Sequence, residues 1–288
     1  MDNKIEKKRV KKKRNWLLIV FLFLAGVSLA VISGLGFAIE WVSRYQANNY
    51  YSSLAAVSAD FSEGFGDTQS NALIFQSINE ALSEAVSKTY AESGAELDEG
   101  SETGERELKK TRHYTTSWLR LEGTVIDYPV MQGGDNEYYL HHLPDGKENK
   151  MGSIFLDYRN SPDFTDKHSV IYGHHMKSGD MFTTLKYYNG QAFYETNRII
   201  NLYTQSGNYD IELFTGYIVD ANTESIPITF KNEEDFVNYI ESIKKRSVFK
   251  SDVTVLPDDL IVSLVTCSYE FDNARMLVAG KLIPKPND

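Results

Sequence analysis

An uncharged apolar run near the start of the chain constrains its architecture more than any other feature. Residues 15–39 read NWLLIVFLFLAGVSLAVISGLGFAI, and a helix of this length, rising about 1.5 Å per residue, exceeds the hydrocarbon core of a bilayer. Trp16 and Trp41 lie near its two ends, where indole rings favour the membrane interface. The run is longer than the apolar region of a cleavable signal peptide, and charged residues (Glu40 and Arg44) follow it. We therefore predict an uncleaved signal anchor that crosses the membrane once.

The charge distribution predicts the orientation of this anchor. Residues 1–14 carry a net charge of about +6, and such a basic leader stays in the cytoplasm. The chain has 288 residues and a net charge of -10, so the remainder carries about -16. An acidic body argues against nucleic acid as a partner, because binding to phosphate needs positive charge. We expect a cytoplasmic leader over 1–14, a transmembrane anchor over 15–39 and an extracellular body from residue 40 onward.

The region between the anchor and the body, residues 40–110, is predicted to be an extracellular stalk. Over 70–90, apolar residues recur at helical spacing, which predicts an amphipathic helix that packs on the body or on a partner; these residues are Ile74, Ile78, Ala81, Leu82 and Ala85. Residues 91–107 are acidic, rich in Gly and Ser and poor in apolar side chains, so we interpret them as a solvated linker. The globular domain then spans 111–288.

The globular domain consists mostly of short runs rich in Val, Ile, Tyr and Phe, separated by Gly, Pro, Asn and Asp. Seven such runs predict about seven or eight strands: SWLRLEGTVIDYPVM, SIFLDY, HSVIYG, RIINLYT, NYDIELFTGYIV, DLIVSLVTCSY and ARMLVAGKLI. Because no regular helix alternates with them, they favour a mainly β fold with a closed or nearly closed barrel over a parallel α/β sheet. One helix interrupts the series: Asn232 is its predicted cap, and its apolar face holds Phe236, Ile240 and Ile243.

Cys267, the one cysteine of the chain, is the first candidate for chemistry. A single thiol excludes intramolecular disulfides and multi-cysteine zinc or iron–sulfur sites. Cys267 ends the apolar strand IVSLVT, where a thiol is often exposed at the rim of a sheet, although a buried small hydrophobe is the commonest state of free cysteine. An extracellular free thiol is open to oxidation, which favours a functional reason for keeping it. A nucleophilic thiol needs a base or a cation beside it, and the usual base is histidine.

Among the six histidines, His174 has the best position for this partnership. It follows the strand SVIYG directly, where Gly173 lets the backbone turn, and His175 is the alternative in the same turn. The other histidines are set aside because they lie in polar or turn-like sequence: His113, His141, His142 and His168. Adjacent strand residues point to opposite faces, and no set of His, Cys, Asp and Glu has the spacing of a metal site, so we expect no metal and no cofactor.

Arg275 is the third candidate, eight residues after Cys267 at the start of the strand RMLVAGKLI. An antiparallel return after the turn SYEFDNA brings the guanidinium back towards the thiol, where it can hold a substrate carbonyl or a developing oxyanion. The alternative is a solvated arginine or a salt bridge to Glu270 or Asp272, and the residues alone do not separate these interpretations.

These motifs resemble the sortases. SLVTC followed at eight residues by Arg275 resembles the family motif TLxTC. WLRLEGTVIDYPVMQGGDNEYYLHH, GSIFLDYRN, VIYGHHMKSGDMF and the helix NEEDFVNYIESIKKRS resemble class B members in the same order, so the resemblance covers residues 112–284. It implies a sortase-type closed β-barrel of about eight strands with peripheral helices, preceded by the transmembrane helix. It also implies a cysteine transpeptidase on the outer face of a Gram-positive cell membrane.

The resemblance implies a role for each candidate. Cys267 attacks the carbonyl after the Thr of a C-terminal sorting signal and forms a thioacyl enzyme, His174 is the acid and then the base, and Arg275 holds substrate and stabilises the oxyanion. The implied partners are surface proteins with that signal and an amine on a cell-wall precursor or a pilin. Four residues match positions that line the family's substrate groove: Asn136, Leu140, Tyr172 and Ile226. Their alternative interpretation is ordinary packing, or a turn in the case of Asn136.

Three residues depart from the usual class B pattern. Ser263 replaces a Thr, and Val265 and Ser268 replace residues that are often polar and acidic. The sorting signal is therefore open between NPQTN-like and LPxTG-like sequences, and the role between haem uptake, protein anchoring and pilin polymerisation. Two other functions compete with transpeptidation: a cell-wall cysteine peptidase, and a membrane-tethered binding module without turnover.

Overall fold

The computed structural model describes residues 2–62, 68–93, 114–220, 224–267 and 274–286, in two compact units, Met1–Asn49 and Tyr50–Asp288. Several features singled out in the sequence lie outside the described residues: the acidic linker from residue 94 onward, His113, and the turn 268–273 with its Ser268. The last described strand before that turn includes the backbone of Cys267, and the side chain of this residue is outside the description.

The first unit is helical. Helix α1 spans Asp2–Ser62, and its stretch Val20–Ala56 is long and apolar enough to cross a membrane, with a mean hydropathy of 2.3 over its 18-residue apolar window. Large apolar side chains of this stretch are exposed, including Phe21 and Phe37. A continuous exposed apolar surface is unfavourable in water and favourable in lipid. The helix therefore fits the membrane anchor predicted over 15–39.

The second unit contains a closed barrel. Its eight described strands are β1 (Tyr114–Arg120), β2 (Asp127–Gln132), β3 (Ile154–Leu156), β4 (His168–Tyr172), β5 (Ile199–Thr204), β6 (Gly207–Asp220), β7 (Ile261–Cys267) and β8 (Ala274–Pro284). Around the barrel their order is β1-β2-β3-β4-β7-β8-β6-β5, and β5 pairs with β1 to close it. The β2–β3 and β4–β7 pairs are parallel, and the other pairs are antiparallel. The predicted fold class, a mainly β closed barrel with peripheral helices, is confirmed.

The first predicted run of the barrel, SWLRLEGTVIDYPVM, contains two strands rather than one. A tight turn separates β1 from β2, because the backbone N–H of Leu121 donates to the carbonyl of Ile126 at 2.8 Å. Gly123 within this turn has a φ of 73°, a left-handed conformation that glycine adopts without the strain other residues incur. The two strands then pair with each other as an antiparallel hairpin.

Within the described residues, four further helices accompany the barrel: α2 (Thr68–Ser93), α3 (Tyr138–His141), α4 (Gln191–Thr196) and α5 (Glu233–Lys245), with a 3₁₀ helix at Phe182–Asn189. Helix α5 begins as the sequence predicts, since the Asn232 side chain accepts from the backbone N–H of Asp235 at 2.8 Å. Its predicted apolar face, Phe236, Ile240 and Ile243, is buried in a cluster with strands β4, β7 and β8.

Helix α2 is the amphipathic helix predicted over 70–90, and it packs on the body. Phe75, Ile78 and Leu82 are buried against barrel residues that include Trp118 and Phe155. The Asn79 side chain also accepts the backbone N–H of Thr115 at 2.8 Å, which ties the helix to β1. Ala81, which was assigned to the apolar face, is exposed, because that face is centred on Phe75. The globular unit therefore includes the helix and begins at Tyr50, before residue 111.

Candidate functional site

The end of the β7–β8 hairpin brings together two of the predicted site residues. The antiparallel register pairs Thr266 with Met276 and then Cys267 with Arg275. This is the return that the sequence predicts, and it places the backbones of the two residues directly opposite each other across the ladder. The distance between paired Cα atoms in such a ladder is about 4.5–5.5 Å, so a long guanidinium side chain at 275 reaches the region around position 267.

The neighbouring strand on the other side of β7 brings in the predicted base. Strands β4 and β7 are parallel, with Tyr172 opposite Val265, and the ladder extends one step further because the Gly173 N–H donates to the Val265 carbonyl at 3.1 Å. Strand β4 ends at Tyr172, so His174 follows the last β4–β7 pair by two residues, just as Cys267 follows Val265 by two residues in β7.

His174 is held by main-chain contacts on two sides. Its Nε2 lies 2.6 Å from the carbonyl oxygen of Leu140, and its own carbonyl accepts the N–H of Phe182 at 2.9 Å. A carbonyl oxygen can only accept, so Nε2 carries the hydrogen in this contact. Gly152 allows the main chain to pass close to the Leu140 carbonyl, because a Cβ at position 152 would lie 2.7 Å from the Leu140 oxygen. The main chain thereby determines the tautomer of His174.

A cavity of about 220 Å³ opens beside these residues. Its described lining residues are Asn136, Glu137, Leu140, Phe155, Tyr172, Gly173, His174, Val265, Thr266 and Arg275. It therefore brings together three of the four predicted groove residues with the predicted base and arginine. Ile226, the fourth, packs in the apolar cluster beneath α5, which Tyr172 also contacts. The lining combines apolar side chains, such as Leu140 and Phe155, with polar and charged groups, which is typical of a ligand site.

One side of the cavity is organised by a carboxylate that the sequence analysis did not single out. The Asp157 side chain is fully buried and accepts a two-pronged hydrogen bond from Arg159, with Nε to Oδ1 at 2.9 Å and Nη2 to Oδ2 at 2.8 Å. Asn136 Nδ2 and the Tyr172 hydroxyl donate to the same Oδ2, at 3.1 Å and 3.3 Å. Asp157 lies in the quoted motif GSIFLDYRN, but nothing local marks it as the partner of Asn136, 21 residues earlier.

These contacts shift two pKa values. Burial alone raises the pKa of Asp157, but the hydrogen bonds from Arg159 and Asn136 outweigh it, so the pKa lies below the ordinary value and the group is ionised at neutral pH. Burial, followed by the nearby Asp157 charge, raises the pKa of Tyr172 to about 12. The positive charge of Arg275 acts on Tyr172 in the opposite direction. The phenol is therefore neutral and remains a hydrogen-bond donor.

The sequence analysis placed His168 in turn-like sequence, and this prediction is wrong. His168 is the first residue of β4 and is buried. Its Nδ1 lies 2.6 Å from the carbonyl of Pro227 and its Nε2 lies 2.7 Å from the hydroxyl of Ser263. Burial lowers the pKa of His168 to about 4, so the ring is neutral, with Nδ1–H donating and Nε2 accepting. Ser263, a departure from the family motif, thus has a partner within the barrel.

The remaining described histidines lie near α3 and after β4. His141 is exposed at the end of α3, while His142 stacks on Tyr138 with 4.0 Å between ring centroids. His175, the alternative base, forms an isolated bridge with Met181. Within the described ranges, no three His, Cys, Asp or Glu side chains come together as metal ligands.

Comparison with known proteins assigns the family. A sequence model of the Sortase domain matches residues 119–283. Sortase B of Listeria monocytogenes is 35% identical over 211 residues, which cover 72% of this chain and 86% of that protein. The solved Staphylococcus aureus sortase B-substrate complex has a TM-score of 0.58 at 30% identity, over 72% of this chain and 95% of that chain. Clostridium perfringens sortase B gives 0.57 at 36% identity, over 62% and 99%. The chain therefore belongs to the sortase family and, within it, to class B.

Proposed function

We propose that this class B sortase cleaves a C-terminal sorting signal after its Thr, holds the protein as a thioacyl intermediate on Cys267, and transfers it to an amine of the cell wall or of a pilin. Membership of the family makes the chain a cysteine transpeptidase. The proposal concerns three points: the residues that carry out each step, the thioacyl intermediate and the sorting signal.

The observation that supports this assignment most strongly is the convergence of two strand ladders. The β7–β8 ladder pairs Cys267 with Arg275, and the β4–β7 ladder ends at the Gly173 to Val265 hydrogen bond, one residue before His174. A thiol, a base and a permanent cation are the groups that acyl transfer through a thioester requires. His174 and Arg275 line the cavity, and the backbone of Cys267 is paired with that of Arg275, which supports this assignment.

In the proposed first step, the Cys267 thiolate attacks the carbonyl carbon of the Thr while Arg275 donates to the carbonyl oxygen as it becomes negative. A carbon–sulfur bond forms, the carbon–nitrogen bond breaks, and Nδ1 of protonated His174 gives its proton to the leaving amine. In the second step, the incoming amine loses a proton to His174 and attacks the thioester, and the thiolate leaves. Proton and charge are thereby restored after each turnover.

We propose that Asn136, Leu140 and Tyr172 bind the sorting signal along the cavity, with Ile226 at the neighbouring apolar edge. Their position beside His174 and Arg275 supports this role. A related S. aureus sortase B has been solved as a substrate complex, which supports a peptide-like ligand for this class. The apolar side chains of Leu140 and Phe155 suit an apolar side chain of the signal, and the polar lining groups suit its main chain.

We propose that the leader over 1–14 is cytoplasmic and that the second unit is extracellular. The exposed apolar helix fits membrane anchoring, and the basic leader supports this orientation. Protease treatment of intact cells followed by cell-wall digestion checks it. We expect the second unit to be cut while an epitope fused to the leader is protected; protection of the second unit would contradict the orientation.

The experiment that tests the function uses the full chain in detergent and a panel of NPQTN-like and LPxTG-like peptides. We expect mass spectrometry to detect cleavage after Thr of at least one peptide, together with a thioacyl adduct on Cys267. Cys267→Ala should lose both signals, because the described site offers no second nucleophile of this kind. Full turnover by Cys267→Ala would contradict the mechanism, and binding without any cleavage would favour a non-catalytic module.

A further inference from the structure

Four residues at one side of the cavity, Asn136, Asp157, Arg159 and Tyr172, are here called the groove wall. They come from three segments of the chain, and Asp157 is the one that joins the others. Its two oxygens accept from both Asn136 and Tyr172, from the Arg159 backbone N–H, and from the Arg159 side chain. Asp157 does not line the cavity, whereas Asn136 and Tyr172 do. Burying an unpaired carboxylate lowers the stability of the fold, and Arg159 offsets this cost by pairing with Asp157.

The hydrogen bonds to Asp157 have determined directions, because an ionised carboxylate only accepts. Asn136 therefore donates through Nδ2, and its Oδ1 accepts the backbone N–H of Tyr158 at 3.0 Å, which excludes the flipped amide. Tyr172 donates its single hydroxyl hydrogen to Asp157. After these hydrogen bonds, Asn136 can still donate one amide hydrogen to a ligand, and the Tyr172 oxygen can still accept through its lone pairs.

Arg159 stabilises the ionised form of Asp157. The Arg159 side chain is 43% exposed while the Asp157 side chain is 0% exposed, so the buried carboxylate is paired with a partly solvated cation. Protonation of Asp157 would add a donor and remove an acceptor, and both groove residues would lose their fixed direction. The guanidinium opposes such protonation because it stabilises the negative charge.

We propose that Asp157 is a positioning residue for substrate binding, which fixes Asn136 as a donor and Tyr172 as an acceptor towards the main chain of an extended peptide. This inference rests on the proposed function. A peptide in extended conformation presents carbonyls and N–H groups in alternation, so a fixed donor and a fixed acceptor on one wall select a register and a direction for it. Asp157 acts through these two residues and does not contact the peptide.

Asp157→Asn tests the proposal, because it keeps the shape and replaces an acceptor-only group with one that also donates. In the full chain in detergent, we expect KM for the cleaved peptide to rise about tenfold or more with kcat little changed, since uniform binding is lost. The rate at which iodoacetamide alkylates Cys267, and the pH profile of that rate, should match the wild type. A merely structural loss would lower cleavage and alter alkylation together.

Asp145→Asn is the matched control. Asp145 is also buried, with a side chain 3% exposed, and it pairs with a more exposed cation, Lys147, at 3.0 Å. It does not line the cavity. We expect its KM and alkylation rate to stay at wild-type values. An equal rise in KM for both variants would show a general effect of losing a buried carboxylate and would overturn the proposal.

A double-mutant cycle with Asn136→Ala tests whether Asp157 acts through its partner. We expect Asn136→Ala to raise KM much less in the Asp157→Asn background than in the wild type, because coupled residues are not additive. If Asp157→Asn does not fold, Arg159→Lys replaces it, since lysine keeps the charge but not the fork, and KM should rise a few-fold. Additive effects, or wild-type kinetics in both Asp157→Asn and Arg159→Lys, would overturn the inference. A wild-type chain that cleaves no peptide would instead overturn the proposed function, and this inference with it.

Discussion

Main-chain contacts position the two proposed reacting groups, whereas side-chain hydrogen bonds to Asp157 orient the groove wall. Arg275 takes its place from the β7–β8 register, and His174, two residues past the last β4–β7 pair, is held by main-chain contacts to Leu140 and Phe182. Asn136 and the Tyr172 hydroxyl are oriented by one buried carboxylate, although the backbone of Tyr172 belongs to the β4–β7 ladder. We therefore expect backbone shifts to affect the proposed reacting groups most, and changes at Asp157 to affect the groove wall most.

The largest effect is expected for Arg275→Lys, which leaves the ladder intact and changes only the cation. Lysine is a point charge without a planar fork, so we expect kcat/KM for peptide cleavage to fall about 100- to 1,000-fold, as when an oxyanion donor is removed. Steady-state kinetics measure it. Arg198→Lys is the control, because Arg198 pairs at 3.5 Å with the exposed Asp252 away from the cavity. Near-normal rates for Arg275→Lys would show that the site needs only a positive charge at position 275 and not the planar guanidinium.

Gly173→Ala tests the sensitivity of the reacting groups to the backbone. A Cβ at this position would lie 2.7 Å from the Phe182 ring and would also collide with Ile154, so the chain must shift one residue before His174. We expect kcat to fall about 100-fold, the cost of a displacement of about 1 Å at a catalytic group. Gly190→Ala is the control, since its nearest neighbour would be 3.6 Å away. Unchanged kcat in Gly173→Ala would show that the ladder does not position His174.

Tyr172→Phe tests the groove wall with the smallest possible change. It removes one hydroxyl and the bond to Asp157 while the ring remains, so we expect a loss of about 1 kcal/mol, or roughly fivefold in KM, with kcat nearly unchanged. The comparison of kcat and KM from initial rates is the measurement. Tyr187→Phe, at an exposed tyrosine, should change neither value. A loss confined to kcat would place Tyr172 among the reacting groups instead.

His168→Gln tests the stability of the β4–β7 ladder rather than the chemistry. The folded chain holds the pKa of His168 near 4 against an ordinary value of 6.5, so below pH 6.5 the unfolded chain binds a proton that the folded chain does not. The free energy of unfolding should therefore fall by up to about 3 kcal/mol as the pH drops from about 6.5 to about 4. Denaturant unfolding of His168→Gln should lack this slope, while the exposed His141→Gln keeps it. An unchanged slope in His168→Gln would assign the acid sensitivity to other groups.

Patterns within a few residues predicted the features that depend on neighbouring residues alone, such as helix caps, apolar helix faces and short turns. The Asn232 cap and the apolar face of α5 needed only helical spacing, and the return from Cys267 to Arg275 needed only a short turn between two strands. The burial of His168 could not be predicted in this way, because its partners, Ser263 and the carbonyl of Pro227, come from segments 95 and 59 residues away. Periodicity along one strand carries no information about which distant strand will lie beside it.

The sequence by itself determined the apolar anchor, the mainly β class of the body, and the three residue types that acyl transfer requires. These follow from hydropathy, strand periodicity and side-chain chemistry, which act over a few residues. Only the tertiary structure decided that β4 and β7 run side by side, that α2 belongs to the globular unit, and that Asp157 connects Asn136 with Tyr172. Each of these joins segments that are far apart in the chain, so each depends on how the barrel closes and not on periodicity within one segment.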